Sequence, residues 1–397
     1  RSLHGFAVWA NSKALQLAGI NKDTQAPVGG EILRDSDGEA TGILLNRATT
    51  LLADAVPKPS LEQFTSYVKS GMQQMADDGF VAVHEAGAET PHIAALQLLN
   101  QRGELPIRMY AMLSARDSSL AEAWVAKGPV VDPNGFLDIR AVKAYYDGAL
   151  GSRGAQLLAD YSDLAGHRGV SGDGYGFDDA IVDKLIGAGF QVGIHAIGDA
   201  GNREVLDYFD NASNQMPGSS ELRHRIEHAQ VIDQSDFARI KQLKLIASME
   251  PPHAVEDKTW AEDRLGAERI KGAYAWRTLR KIGVPITFNS DLPGSDHNIF
   301  YGLHAAITRQ DKQSLPEGGW YPEQALSIEE SIRAYTSWAA FSAFRETQTG
   351  KLKAGYWADL SVLDIDPFNL AISAPAKILQ GNIVMTVVNG KIVYLAP

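Results

Sequence analysis

The feature that most constrains this chain is a recurring alternation of β-rich runs and amphipathic helical runs with short breaks between them. "LEQFTSYVKSGMQQMADDG" (61–79) carries apolar residues at helical spacing and stops at a glycine. "FVAVHEAG" follows as a β-rich run, and the same rhythm continues to about residue 290. The pattern predicts strands at 80–86, 107–113, 139–148, 190–196, 223–230, 244–250 and 284–290, with helices between them such as "DDAIVDKLIGAG" and "YAWRTLRKIG". Repeated strand–helix units favour a parallel sheet with right-handed crossovers. No GxGxxG or GxxxxGK[ST] follows any of these strands, so the nucleotide-binding doubly wound folds lose their main signature. The expected fold is an α/β TIM-type (β/α)8 barrel.

Seven strands are evident where a closed barrel needs eight. Residues 1–60 read as an insert or lid over the barrel mouth: "NSKALQLAGI" is a short helix ending at Gly19, and "GGEILRDSDGEATGILL" is a hairpin around "DSDG". The barrel is expected over 61–345. Residues 346–397 read as the C-terminal part of a small β-sandwich, with Asn389-Gly390 joining two strands.

Composition narrows the chemistry. With no cysteine, disulfides, thiolate nucleophiles and thiolate metal centres are excluded, so a metal here must be held by His, Asp, Glu or a modified Lys. The formal net charge of -11, with no long basic run, argues against nucleic acid or anionic membrane as partner and for a small-molecule substrate. No apolar run approaches the ~20 residues that span a bilayer. The first residues do not read as a secretory signal, and the sequence is compatible with a cytoplasmic or a periplasmic location.

Barrel active sites lie at the C-terminal strand ends. The polar residues there are His84 and Glu85, Lys143 and Asp147, His195 and Asp199, Glu227 and His228, Glu250 and His253, and Asp291. Taken singly, a strand-end histidine is more often a hydrogen-bonded structural residue than a ligand. Lys143, His195, His228 and Asp291, however, come from four separate units, and one shared site explains them better than four coincidences. "RHRIEHAQ" (223–230) poses the same question, because a strand alternation leaves neither of its faces apolar. Neutral imidazoles and carboxylates suit a divalent metal such as zinc, at about 2.0–2.2 Å, with a position left for water. Lys143 as an ammonium would repel that metal.

The ordered segments "KAYYDGALGSRGAQLLADY", "GIHAIGDAGNREVLD", "RHRIEHAQ", "FNSDLP" and "GKLKAGYWADLSVLDIDP" resemble the amidohydrolase superfamily. Within it they are similar to the branch called amidohydrolase family 3, which includes N-substituted formamide deformylase. "HGFAVWANSKALQLAGI" resembles that branch's insert after the first barrel strand. The resemblance implies a site for one or two divalent ions, in which Lys143 can be carboxylated and bridge two metals, His195 and His228 are ligands, and Asp291 is both a ligand and the catalytic proton shuttle. It also implies an HxH pair on the first strand, and no HxH occurs in this sequence. The expectation is either a missing N-terminal segment, through a separate fragment that completes the barrel or an incomplete gene, or a family member lacking its first metal position.

His4, Tyr145, Arg153, His253 and Arg309 are candidates for substrate binding, with Arg153 suited to a carboxylate. Asp199 and Glu227 are candidates for supporting the ligands. The expected activity is hydrolysis of a C–N bond in an amide, N-formyl or cyclic amide through metal-activated water. The alternatives are a noncatalytic or regulatory barrel with an incomplete metal site, and a metal-independent enzyme using the same groups as acid and base. A homo-oligomer is compatible with all of them.

Overall fold

The computed structural model describes residues 7–27, 30–46, 48–53 and 55–397. By the density of its contacts the chain divides into two units, Arg1–Gln63 with Asp291–Ser295, and Phe64–Ser290 with Asp296–Pro397.

The smaller unit is a three-stranded antiparallel sheet with strands β1 (Ala7–Trp9), β2 (Gly30–Arg34) and β3 (Ala40–Asn46) in the order β1-β3-β2. The β2–β3 turn forms because Asp35 Oδ1 accepts the N–H groups of Asp37 and Glu39, leaving Gly38 to take the left-handed conformation. The helix Ser12–Leu17 starts on Asn11, whose Oδ1 accepts Ala14 N at 2.9 Å. Its Leu15 packs with Ile20, Ile32 and Leu44 in a small core of its own.

The larger unit is built on the parallel strands β4 (Ala82–Ala88), β5 (Arg108–Ser114), β7 (Leu137–Tyr145), β8 (Gln191–Ala196), β9 (Arg225–His228), β10 (Ile246–Met249) and β11 (Ile286–Phe288). The sheet order runs β11-β10-β9-β8-β7-β5-β4, and a short strand β6 (Val130–Val131), absent from the sequence reading, adds antiparallel to β7. Helices return the chain between strands, which is the TIM-type (β/α) arrangement expected from the sequence. Among the described residues the path is open, with no pairing between β4 and β11.

Local chemistry sets the helix ends. Thr90–Arg102 stops at Gly103, which takes φ 64 where a side chain would be strained. Asp117 and Asp178 cap the helices Ser118–Lys127 and Asp179–Gly187 through their carboxylates. The main core runs through β5, β7 and β8 and the inner faces of the helices, with Leu113, Ile139, Phe190, Val192, Leu206 and Ile226 all buried. Strands that are apolar on both faces are what a parallel sheet covered by helices requires.

At the C-terminus β12 (Leu360–Leu363), β13 (Ile383–Val388) and β14 (Lys391–Leu395) form an antiparallel sheet in that order. Asn389 at φ 51 and Gly390 at φ 75 make the type I′ turn that Asn-Gly announces. The buried pair Arg108–Asp359, 2.7 Å, ties the start of β5 to the chain entering β12, with Trp357 stacked 3.7 Å from the guanidinium. No helix among the described residues is long and apolar enough to cross a membrane.

Candidate functional site

Parallel pairing brings the C-terminal strand ends together at one edge of the sheet. The register sets Tyr145 opposite His195, and Ala196 opposite His228, so three neighbouring strands deliver these side chains to one level. The rings of His195 and His228 meet edge to face at 4.5 Å, and the Tyr145 ring lies 5.6 Å from His195. Lys143 is buried, with its Nζ 4.3 Å from the centre of the Tyr145 ring. At His228 and Ala229 the backbone takes φ 75 and 43, a left-handed pair at non-glycine residues. Such strain persists where the surroundings over-determine it, and it clusters at working sites.

Burial, then the positive charges of His228 and Lys143, hold the His195 pKa well below the usual imidazole value. The ring is therefore neutral and carries a lone pair. Its Nε2 is buried with no hydrogen-bond partner among the described residues, and Asp147 Oδ1 lies 3.6 Å from it. Asp147 is committed elsewhere: it accepts the N–H groups of Ile197, Gly198 and Gln156, each at 2.9 Å, and so shapes the loop after β8. Burial raises its pKa to about 7 against those three donors.

His228 is held by Glu250, whose Oε2 lies 3.1 Å from His228 Nδ1 and 3.5 Å from His253 Nδ1. Burial works against the charge on Glu250, yet the two histidines hold its carboxyl below the ordinary range. Asn289 Nδ2 donates to Glu250 Oε1 at 2.9 Å and to Ser248 Oγ at 3.0 Å. Ser248 Oγ also accepts from Arg225, which pairs with Glu227 at 2.7 Å and reaches His84 Nδ1 at 3.0 Å. Arg225 and Glu227 of "RHRIEHAQ" thus form a buried string beneath the strand ends, while Arg223 pairs with Glu346. His224 takes the other face, where Val192 N donates to its Nδ1 at 3.0 Å and Phe209 stacks on its ring.

The structure therefore brings Lys143, Tyr145, His195, His228 and His253 into one neighbourhood and gives other partners to Glu227, Asp199, Arg153 and Arg309. Glu227 serves Arg225, and the carboxylate that touches His228 is Glu250 from the neighbouring strand. Asp199 accepts Leu158 N and Ala200 N, so it organises a turn, while Asp147 faces His195. Arg153 pairs with Asp163 through two hydrogen bonds, 3.1 and 2.8 Å. Arg309 is wholly buried, donates to the carbonyls of Trp320 and Tyr274, and stacks on Trp276 at 4.2 Å, which makes it a packing residue. His4 lies outside the described residues. Asp291 follows β11 after Asn289 and Ser290 and takes φ 52. Glu250 had one signal in the sequence, its place at the end of β10 three residues before His253.

A buried neutral imidazole with an unsatisfied ring nitrogen, beside a second imidazole backed by a carboxylate, is a donor set that fits a divalent metal. Comparisons with known proteins agree with the class this architecture defines. The chain matches the amidohydrolase family over residues 1–394 and belongs to that family, which supports a hydrolase. Among its relatives, YtcJ of Bacillus subtilis, whose name places it among the amidohydrolases, is 30% identical across 98% of this chain and 72% of its own. N-substituted formamide deformylase of Arthrobacter pascens is 25% identical across 98% of this chain and 71% of its own. The solved structure of an uncharacterized metal-dependent hydrolase from Pyrococcus horikoshii superposes with a TM-score of 0.75 at 26% identity, over 91% of this chain and 70% of that one.

Proposed function

We propose that this protein is a metal-dependent hydrolase that cleaves the C–N bond of an amide, N-formyl or cyclic amide substrate. The observation that carries the reading is the meeting of His195 and His228 at 4.5 Å, with His195 Nε2 left without a hydrogen-bond partner and His228 Nδ1 on Glu250. Similarity to a deformylase and to a metal-dependent hydrolase supports the same class.

In this reading His195 and His228 are nitrogen ligands, and Asp291 and a carboxylated Lys143 supply oxygen. Carboxylation turns the Lys143 ammonium into an anion, which removes the repulsion a buried cation would exert there. When bound, a divalent ion such as zinc supplies Lewis acidity and brings the pKa of water to about 7. Asp291 takes the proton of the attacking water and hands it to the leaving nitrogen, so that the C–N bond breaks to give a carboxylic acid and an amine. Glu250 keeps the Nδ1 proton of His228 in place, so the lone pair stays on Nε2.

Metal analysis of the purified protein, with His195→Ala and His228→Ala as controls, tests the assignment. The expected result is about one or two ions per chain in the wild type and loss of both metal and amide hydrolysis in each variant. Full metal retention in both variants, or amide hydrolysis that survives exhaustive chelation, would overturn it.

A further inference from the structure

One cation at the strand ends has no part in the reading above. Arg116 lies in the loop between β5 and the helix Ser118–Lys127, and its side chain is exposed. Its guanidinium sits 4.0 Å from the centre of the Tyr145 ring and 5.3 Å from that of Tyr175. The adjacent carboxylate, Asp117, is occupied: it accepts Thr90 N, Thr90 Oγ1, Ser119 Oγ and Leu120 N. Arg116 forms no ion pair or hydrogen bond among the described residues, although acidic residues outnumber basic ones by 48 to 37 in the chain.

A guanidinium held against an aromatic ring by cation–π attraction still has N–H groups to offer a bidentate acceptor. The tyrosine that carries Arg116 also has His195 as its ring neighbour, 5.6 Å away, so the guanidinium stands beside the proposed ligands. In a chain of net charge -11 a guanidinium placed there is what would select an anionic substrate.

We propose that Arg116, held against Tyr145 and Tyr175, is a specificity-determining residue that binds a carboxylate on the substrate, which makes the substrate class N-acyl or N-formyl amino acids and related acidic amides. The inference rests on the hydrolase reading for the identity of the bond and on Arg116 for the acidic group.

The test uses a matched pair of probes, N-formylphenylalanine and N-formylphenylalaninamide, which differ only in the charge of the C-terminal group. Binding is measured by calorimetry and hydrolysis by amine release, with metal-loaded wild type, Arg116→Met and Arg116→Lys. Wild type is expected to bind the carboxylate roughly 10- to 100-fold more tightly than the carboxamide. Arg116→Met should bring that ratio close to one, and Arg116→Lys should restore part of it, because an ammonium keeps the charge without the fork. Equal affinity for the two probes in wild type, no measurable binding of the carboxylate, or an unchanged ratio in a folded Arg116→Met overturns the inference. An intact ratio in binding with neither probe cleaved would leave the Arg116 assignment standing and count against the C–N hydrolase reading instead.

Discussion

Glu250 and His228 are joined at 3.1 Å, carboxylate Oε2 to imidazole Nδ1, across two neighbouring strand ends of the parallel sheet. The same oxygen lies 3.5 Å from Nδ1 of His253, so one acceptor serves two imidazoles. A carboxylate can only accept, which places a proton on each Nδ1. Asn289, Ser248 and Arg225 brace the carboxylate from below.

Removing that brace should loosen any metal that His228 holds. Glu250→Ala is expected to weaken metal binding by about 10- to 100-fold. Competition with a chromophoric chelator reads this directly. Affinity within a factor of two of wild type would show that His228 needs no such partner.

Asp291 carries the proton in the proposed reaction, and Asp291→Asn keeps an oxygen ligand while removing the base. The variant should retain much of its metal and lose turnover by about 10²- to 10⁴-fold. Single-turnover hydrolysis on metal-loaded protein makes the comparison, and a rate near wild type would remove the proton-transfer role.

His224 makes part of the stability depend on pH. Its pKa is lowered from 6.5 to about 4, chiefly by burial, and its neutral Nδ1 accepts Val192 N. The unfolded chain binds this proton near pH 6.5, whereas the folded chain resists it until about pH 4. The stabilisation is present above pH 6.5 and is lost as pH falls through that window. Between pH 7 and 5 the loss from this residue is about 2 kcal/mol. Urea unfolding of wild type and His224→Gln at both pH values should show a smaller pH dependence in the variant. Equal slopes would mean that this histidine is not the group responsible.

Arg309 should behave as a packing residue. Arg309→Ala strips hydrogen bonds from the buried carbonyls of Trp320 and Tyr274 and opens a gap beside Trp276. A destabilisation of about 2–4 kcal/mol is expected, visible as a lower Tm. A substrate-binding role would instead raise KM at unchanged Tm.

Much of this protein is legible along the chain because its determinants are local. The alternation of strand and helix, the caps at Asp117 and Asp178, the stop at Gly103 and the Asn389-Gly390 turn depend on a few residues each, and the sequence alone fixes them. The strand ends, and with them His195 and His228, follow from the same rhythm. Partnership does not. That Glu250 serves His228 while Glu227 serves Arg225 depends on which strands are neighbours and in what register. Arg116 shows no pattern in sequence, and its meaning comes from two tyrosines 29 and 59 positions away in the chain that stack against it. Secondary structure is a matter of backbone and periodicity, which a short window contains. The pairing of charges across strands is long-range electrostatics and packing, and only the folded sheet brings those groups close enough to interact.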